Sequence, residues 1–170
     1  MSDGLRRDVT GGRVGSAAVD ASRITKHELL AIIGGVLLAI GLFLPWYHAE
    51  NQLAVIAGEN GPGDFTAWEV HTTLRWLLLA AAAAPLILAW IIMRGHALSW
   101  PRGEMTAVVA IAALGLAGYN GLIDRPGEPA GLISIKWGWA VSMLGIILMM
   151  VGSALRASEV ERKRKPPGVL

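Results

Sequence analysis

Cysteine is absent from the chain, Phe and Tyr occur only twice each, and 15 basic and 13 acidic residues are spread over 170 positions. Without a thiol there can be no Cys nucleophile, Cys-ligated zinc, iron–sulfur cluster or structural disulfide. The shortage of charge excludes a disordered chain and the surface of an ordinary cytosolic enzyme. What is abundant is apolar: 54% of residues are hydrophobic and the mean hydropathy is +0.50. These residues gather in four long runs, and no polar elements remain to cover them. The composition points to a small integral membrane protein.

A membrane-spanning helix needs about 20 mostly apolar residues. The runs predict spans at about 29–47, 74–93, 105–123 and 135–155, with a disordered tail over 1–25 and a basic tail over 158–170 flanking a membrane domain over 26–157. Thr25 followed by Glu28, and Thr66 followed by Glu69, have the spacing of capping boxes, so helices are expected to start near Lys26 and Ala67. Pro45 with Trp46 and Tyr47 is expected to close the first span at the headgroup level. Pro85 lies inside the second span and withholds a backbone bond from the carbonyl of Ala81, which predicts a kink.

Orientation follows from the basic residues. Twelve of the fifteen belong to the N-terminal tail, the loop holding Arg94 and Arg102, and the C-terminal tail. Both termini are therefore expected in the cytoplasm, with two loops outside. This topology and anionic headgroups account for a pI near 9.3, leaving no need for a nucleic-acid partner. The long first run, preceded by a polar tail and followed by no small-x-small site, reads as an uncleaved anchor.

In a bilayer, helices associate through close packing, which favours small residues at the contact. Gly138, Gly145 and Gly152 recur every seven residues in the fourth run, Gly34 and Gly41 share that interval in the first, and Ala113, Ala117 and Gly121 form a smooth stripe in the third. Seven-residue spacing keeps a face together through a left-handed crossing. Short loops make successive helices antiparallel neighbours, so the expected fold is an all-α, up-down-up-down four-helix transmembrane bundle. Residues 52–68 carry an apolar stretch, the turn-rich Gly58–Gly63 and a second extended stretch, which predicts a small hairpin or cap on the outer side. Residues 131–136 are expected to add another extended segment.

Apart from Arg75 and Lys136 at outer edges, the four cores hold no Asp, Glu, Lys, Arg or His, which argues against a proton relay, charged permeation path or voltage sensor. No catalytic motif or cofactor fingerprint is present, and neither catalytic residues nor a cofactor are assigned. At the expected outer mouth, His48 and Glu50 leave one span while Glu69 and His71 enter the next. Imidazole and carboxylate suit zinc or another divalent ion, so these four are the metal-ligand candidates, against the plainer reading of solvated interfacial groups. Trp46, Trp68, Trp137 and Trp139, with Asn120, Asp124 and Arg125, are the candidates for contact with an amphiphile or partner. The plainer reading of those tryptophans is an aromatic belt.

Leu44-Pro45-Trp46, Phe65-Thr66-Ala67-Trp68-Glu69, Leu122-Ile123-Asp124-Arg125-Pro126-Gly127 and Trp137-Gly138-Trp139 together resemble small four-span membrane proteins of high-GC bacteria that have no established activity. Eleven Arg against four Lys agrees with that coding bias. The resemblance implies the same four-helix architecture over about 28–155 and carries no catalytic residue with it. The expected function is therefore that of a non-enzymatic accessory or scaffold subunit, bound to lipid and to other membrane proteins or itself. Lipid or amphiphile binding at the Trp-rich mouth is the alternative, and a metal-dependent membrane enzyme is the third reading.

Overall fold

The computed structural model describes residues 24–94 and 103–164. The expected tail over residues 1–23, Arg102 and the last six residues lie outside them. The described chain is mostly helical, with α1 (Lys26–Leu42), α2 (Ala67–Val70), α3 (Leu74–Met93), α4 (Glu104–Gly118) and α5 (Trp137–Arg164). A π-helical turn (Tyr119–Ile123) continues α4. The strands are β1 (Pro45–Ala49), β2 (Val55–Ile56), β3 (Glu59–Asn60), β4 (Gly63–Thr66) and β5 (Ile133–Ile135). The all-α expectation is thus corrected: the extended segments expected around residues 52–68 and 131–136 are joined into a small sheet by β1, from the stretch expected to end the first span.

Three stretches are long and apolar enough to cross a membrane: Leu74–Met93, Glu104–Ile123 and Trp137–Glu159. With 17 residues, α1 reaches about 25 Å, short of the roughly 30 Å hydrocarbon core. It ends at Leu42 rather than at Tyr47. Pro45 disfavours helical geometry at Leu44, and the Trp46 indole Nε1 donates to the Gly41 carbonyl at 2.9 Å, satisfying an acceptor of the last turn. At the other extreme α5 runs on to Arg164, so the segment expected as a basic tail begins as helix.

Both capping boxes form. The Thr25 hydroxyl accepts from the Glu28 amide while Glu28 reaches back to the Thr25 N–H at 2.7 Å, and Thr66 with Glu69 repeats this at 2.8 Å. The second box starts only the single turn α2. His71, Thr72 and Thr73 then separate it from α3.

Glycine sets how closely α1 and α5 meet. A Cβ on Gly145 would lie 2.6 Å from the Leu38 nitrogen, one on Gly152 2.6 Å from the His27 carbonyl, and one on Gly138 2.5 Å from the Pro45 carbonyl. From the α1 side, Gly34 faces Gly145 and Met149, and Gly41 faces Ser142. Contacts that move up one helix move down the other, so the two run in opposite directions. Gly35 rests on Ala82 and Pro85 of α3, which puts the proline at a helix contact. Gly121 accepts the Trp139 ring, whose Nε1 donates to the Ala117 carbonyl at 3.0 Å and ties α5 to α4. Packing therefore links α1 to α5 and α3, and α4 to α5 and α3.

The three-stranded sheet has the order β4-β1-β5, antiparallel throughout, so the two loops share one sheet around β1. The β2–β3 hairpin turns at Ala57 and Gly58, both at positive φ, the geometry of a two-residue type I′ turn. The expected turn-rich stretch therefore begins one residue later than the actual reversal. Val55 and Glu128 exchange both backbone hydrogen bonds, at 2.8 and 2.9 Å, joining the hairpin to the second loop.

Candidate functional site: the sheet cap

Alternation along β1 decides which side chains meet. A bulge between Pro45 and Tyr47 interrupts the register, and with the extra residue both Trp46 and Tyr47 turn inward and are fully buried. His48 then faces outward and Ala49 inward. Trp46, expected at a mouth or in an aromatic belt, is instead a core residue over the end of α1.

Tyr47 links three elements beneath the sheet. Its hydroxyl donates to the Asn120 carbonyl on the π turn at 3.1 Å and lies 2.9 Å from Nε2 of His71, just before α3. With the single phenolic proton given to Asn120, His71 satisfies both contacts as the Nε2–H tautomer donating to the phenol oxygen. Burial pushes the Tyr47 phenol well above its ordinary range, partly offset by Arg125. Burial likewise lowers the His71 imidazole, against an opposing pull from Asp124, so His71 is neutral at pH 7. A phenol held protonated beside a neutral imidazole is a lock between elements.

On the opposite face, Asp64, His48 and Ser134 stand side by side across β4, β1 and β5. His48 Nδ1 and Asp64 Oδ1 are 2.6 Å apart, and the Lys136 ammonium is 3.5 Å from the same carboxylate oxygen. That hydrogen bond, aided by the Lys136 ammonium, holds the exposed Asp64 carboxyl below its ordinary range. This polar row lies on the outward face of the sheet.

The expected metal quartet does not assemble. Among the described residues no three His, Asp or Glu side chains are grouped to hold an ion. His48 and the Tyr47-bound His71 occupy opposite faces of β1, Glu69 is committed to its capping box, and Glu50 is exposed.

The partner candidates are similarly divided. Trp68 stacks on Phe43 at 4.9 Å and meets Trp76 edge-on at 5.1 Å, while the Arg75 guanidinium lies 5.1 Å from its ring and donates to its carbonyl at 2.9 Å. Trp139 is held by α4, and Trp137 is more than half exposed. Arg125 donates to the Ile133 carbonyl at 3.0 Å, and the Asn120 amide donates to Leu116 at 2.9 Å. Asp124 follows the π turn, its amide donating to the Tyr119 carbonyl. These residues mostly bind the cap to itself.

A second polar cluster, missed in the sequence, lies at the far end of the helices. Glu28 and Arg156 are buried with Oε1 and Nε 3.2 Å apart, a contact of charges without hydrogen-bond alignment. Arg156 also meets Glu159 at 3.3 Å, and Glu159 meets His27 at 3.0 Å. Glu28, Thr106, Ser153 and Arg156 border a cavity of about 10 Å³, room for a single water. The acidic end of the capping box was visible, but its partner stands on α5.

No protein-family model matches the chain, and neither a curated protein nor a solved structure matches it. The functional reading therefore rests on the geometry itself.

Proposed function

We propose that the chain is a non-enzymatic, four-span protein of the bacterial cytoplasmic membrane, an accessory or scaffold subunit that holds a rigid cap outside the bilayer for other envelope proteins. On this reading α1, α3, α4 and α5 form an up-down-up-down transmembrane bundle, both termini are cytoplasmic, and the cap is external. The architecture is that of the small four-span proteins of high-GC bacteria that the short motifs resemble. One observation carries the reading: strands from the α1–α3 and α4–α5 connections join in one three-stranded sheet, whose inward groups are locked and whose outward face presents Asp64, His48 and Ser134. Such a face suits recognition of a polar protein surface. Leu53, three-quarters exposed at the edge of the cap, adds an apolar anchor.

Detergent extraction of the full chain from its own membrane, followed by mass spectrometry of co-purifying chains, tests the proposal. A recurrent envelope partner that is lost with His48→Ala and Leu53→Asp supports it. Consistent isolation as a partnerless monomer overturns it. A reporter fused after Leu170 tests sidedness independently: activity only in the periplasm would invert the cap.

A further inference from the structure

The polar cluster at the far end of the helices leaves three groups without a hydrogen bond among the described residues. Glu28 commits Oε2 to its capping box, where it accepts from the Thr25 amide at 2.7 Å and from the Thr25 hydroxyl at 3.1 Å. Its Oε1 has only the Arg156 guanidinium, 3.2 Å away, and the Nε–H of that group is not aligned on it. Arg156 uses Nη1 on Glu159 at 3.3 Å, which leaves Nε idle. The Ser153 hydroxyl, three residues earlier on α5, makes no hydrogen bond either. All three atoms are sealed from solvent, and Glu28 and Ser153 are more than nine-tenths buried.

These three residues border the cavity of about 10 Å³. Pro85 of α3 and Thr106 of α4 join them around it, so every long helix supplies a wall. Gly103, just before α4, closes one side: a Cβ there would lie 2.8 Å from the Ser153 carbonyl.

We propose that this cavity is a binding site for one water molecule, which accepts from Arg156 Nε, donates to Glu28 Oε1 and bonds to the Ser153 hydroxyl. The chemistry of the walls selects it. A cation would meet the guanidinium N–H, an anion would meet the carboxylate oxygen, and a hydrocarbon group would leave both unpaired. A molecule that both donates and accepts satisfies the two together. A volume of about one probe sphere admits nothing larger than water, and about three partners is the usual number for a buried one. The gain is large because desolvation offsets a buried ion pair unless its remaining donors and acceptors are bonded. The water turns a contact of charges into a hydrogen-bonded joint between α1 and α5, at the end opposite the sheet. It is independent of whatever the cap recognises.

A high-resolution crystal structure of the full chain tests the site directly. One density peak is expected within about 3.2 Å of Glu28 Oε1, Arg156 Nε and Ser153 Oγ. An empty cavity, or a peak out of reach of the carboxylate or the guanidinium, overturns the proposal. Thermal unfolding in detergent adds a test by sign. Ser153→Val places a methyl group in the cavity, and filling a dry void would raise the melting temperature. Displacing a water instead strands Oε1 and Nε, for an expected fall of about 3–8 °C. Ser153→Ala keeps room for the water and should fall by less; an equal or larger fall overturns the proposal. Crowding is separated by repeating Ser153→Val in a chain carrying Glu28→Met and Arg156→Met, which has no ion pair to strand. There the fall should shrink to about half or less, and an undiminished fall overturns the proposal.

Discussion

In the cap the fully buried side chains include Trp46, Tyr47, Ile56 and Ile133, whereas on α3 and α4 many buried positions are alanine, Ala81, Ala82, Ala89, Ala110, Ala113 and Ala117, beside the larger Leu78 and Ile92 of α3. On those same helices Leu86, Ile87, Val108 and Ile111 face outward. The two regions are packed differently, as the solvents of the proposed topology would require. Where water surrounds a structure, stability comes from withdrawing large apolar surface, so the biggest rings go inside. Where hydrocarbon surrounds it, a leucine gains nothing by turning inward, and small residues that let backbones approach take the contact. The interface of α1 and α5 combines both devices, with Leu38, Ile146 and Met149 buried around the glycines.

Breaking the cap from within should have the largest effect. Trp46→Ala removes a fully buried indole and the hydrogen bond over the end of α1, for an expected loss of about 3–5 kcal/mol. Hydrogen exchange should accelerate in β1, β4 and β5 well before α3 and α4. The opposite perturbation, Gly145→Leu, wedges a side chain against the α1 backbone and should cost up to about 3 kcal/mol. Thermal unfolding in detergent measures it, and here α1 and α5 should loosen first. If both variants opened the same amides in the same order, the two regions would be one cooperative unit.

A third test uses acidity to address the cap alone. The buried His71 has a folded pKa below its unfolded value of 6.5, so the unfolded chain binds the proton more readily. The contribution of neutral His71 is fully present above pH 6.5 and is lost as pH falls through the depressed folded value. Melting temperature should therefore decline from pH 7 to pH 5, and His71→Gln should flatten that part of the decline. The smallest effect is a gain. Ala57 adopts φ 53° in the hairpin turn, where a side chain is unfavourable, so Ala57→Gly should stabilise by about 1 kcal/mol, read as a raised melting temperature.

Features that depend on neighbours in sequence were legible before the structure. Thr25 with Glu28 and Thr66 with Glu69 are three residues apart, and each box forms from its own turn. The apolar limits of α3 at residues 74 and 93 and an extended stretch around β5 were equally local. What escaped depends on distant pairing. The bulge at β1 exists because β4 and β5 register against it, and it converts an interfacial Trp-Tyr pair into core. Strand parity then separates His48 from His71, which a helical reading had placed at one depth. Glu28 and Arg156 are 128 positions apart, and nothing near either one announces the other. Even the helical extension through Glu159 was hidden, because its charges resemble those of a solvated tail.

Placing β1 at the centre of the sheet has a consequence for biogenesis. One flank of β1 is paired by β4 within the same loop, but the other stays bare until Ile133–Ile135 emerge, and the glycine face of α1 likewise waits for α5. Helix α5 and the strand before it thus complete both the first helix and the first loop. A chain stalled before it would carry an open strand edge and an unmatched membrane face, the marks by which quality control could tell an unfinished copy from a finished one.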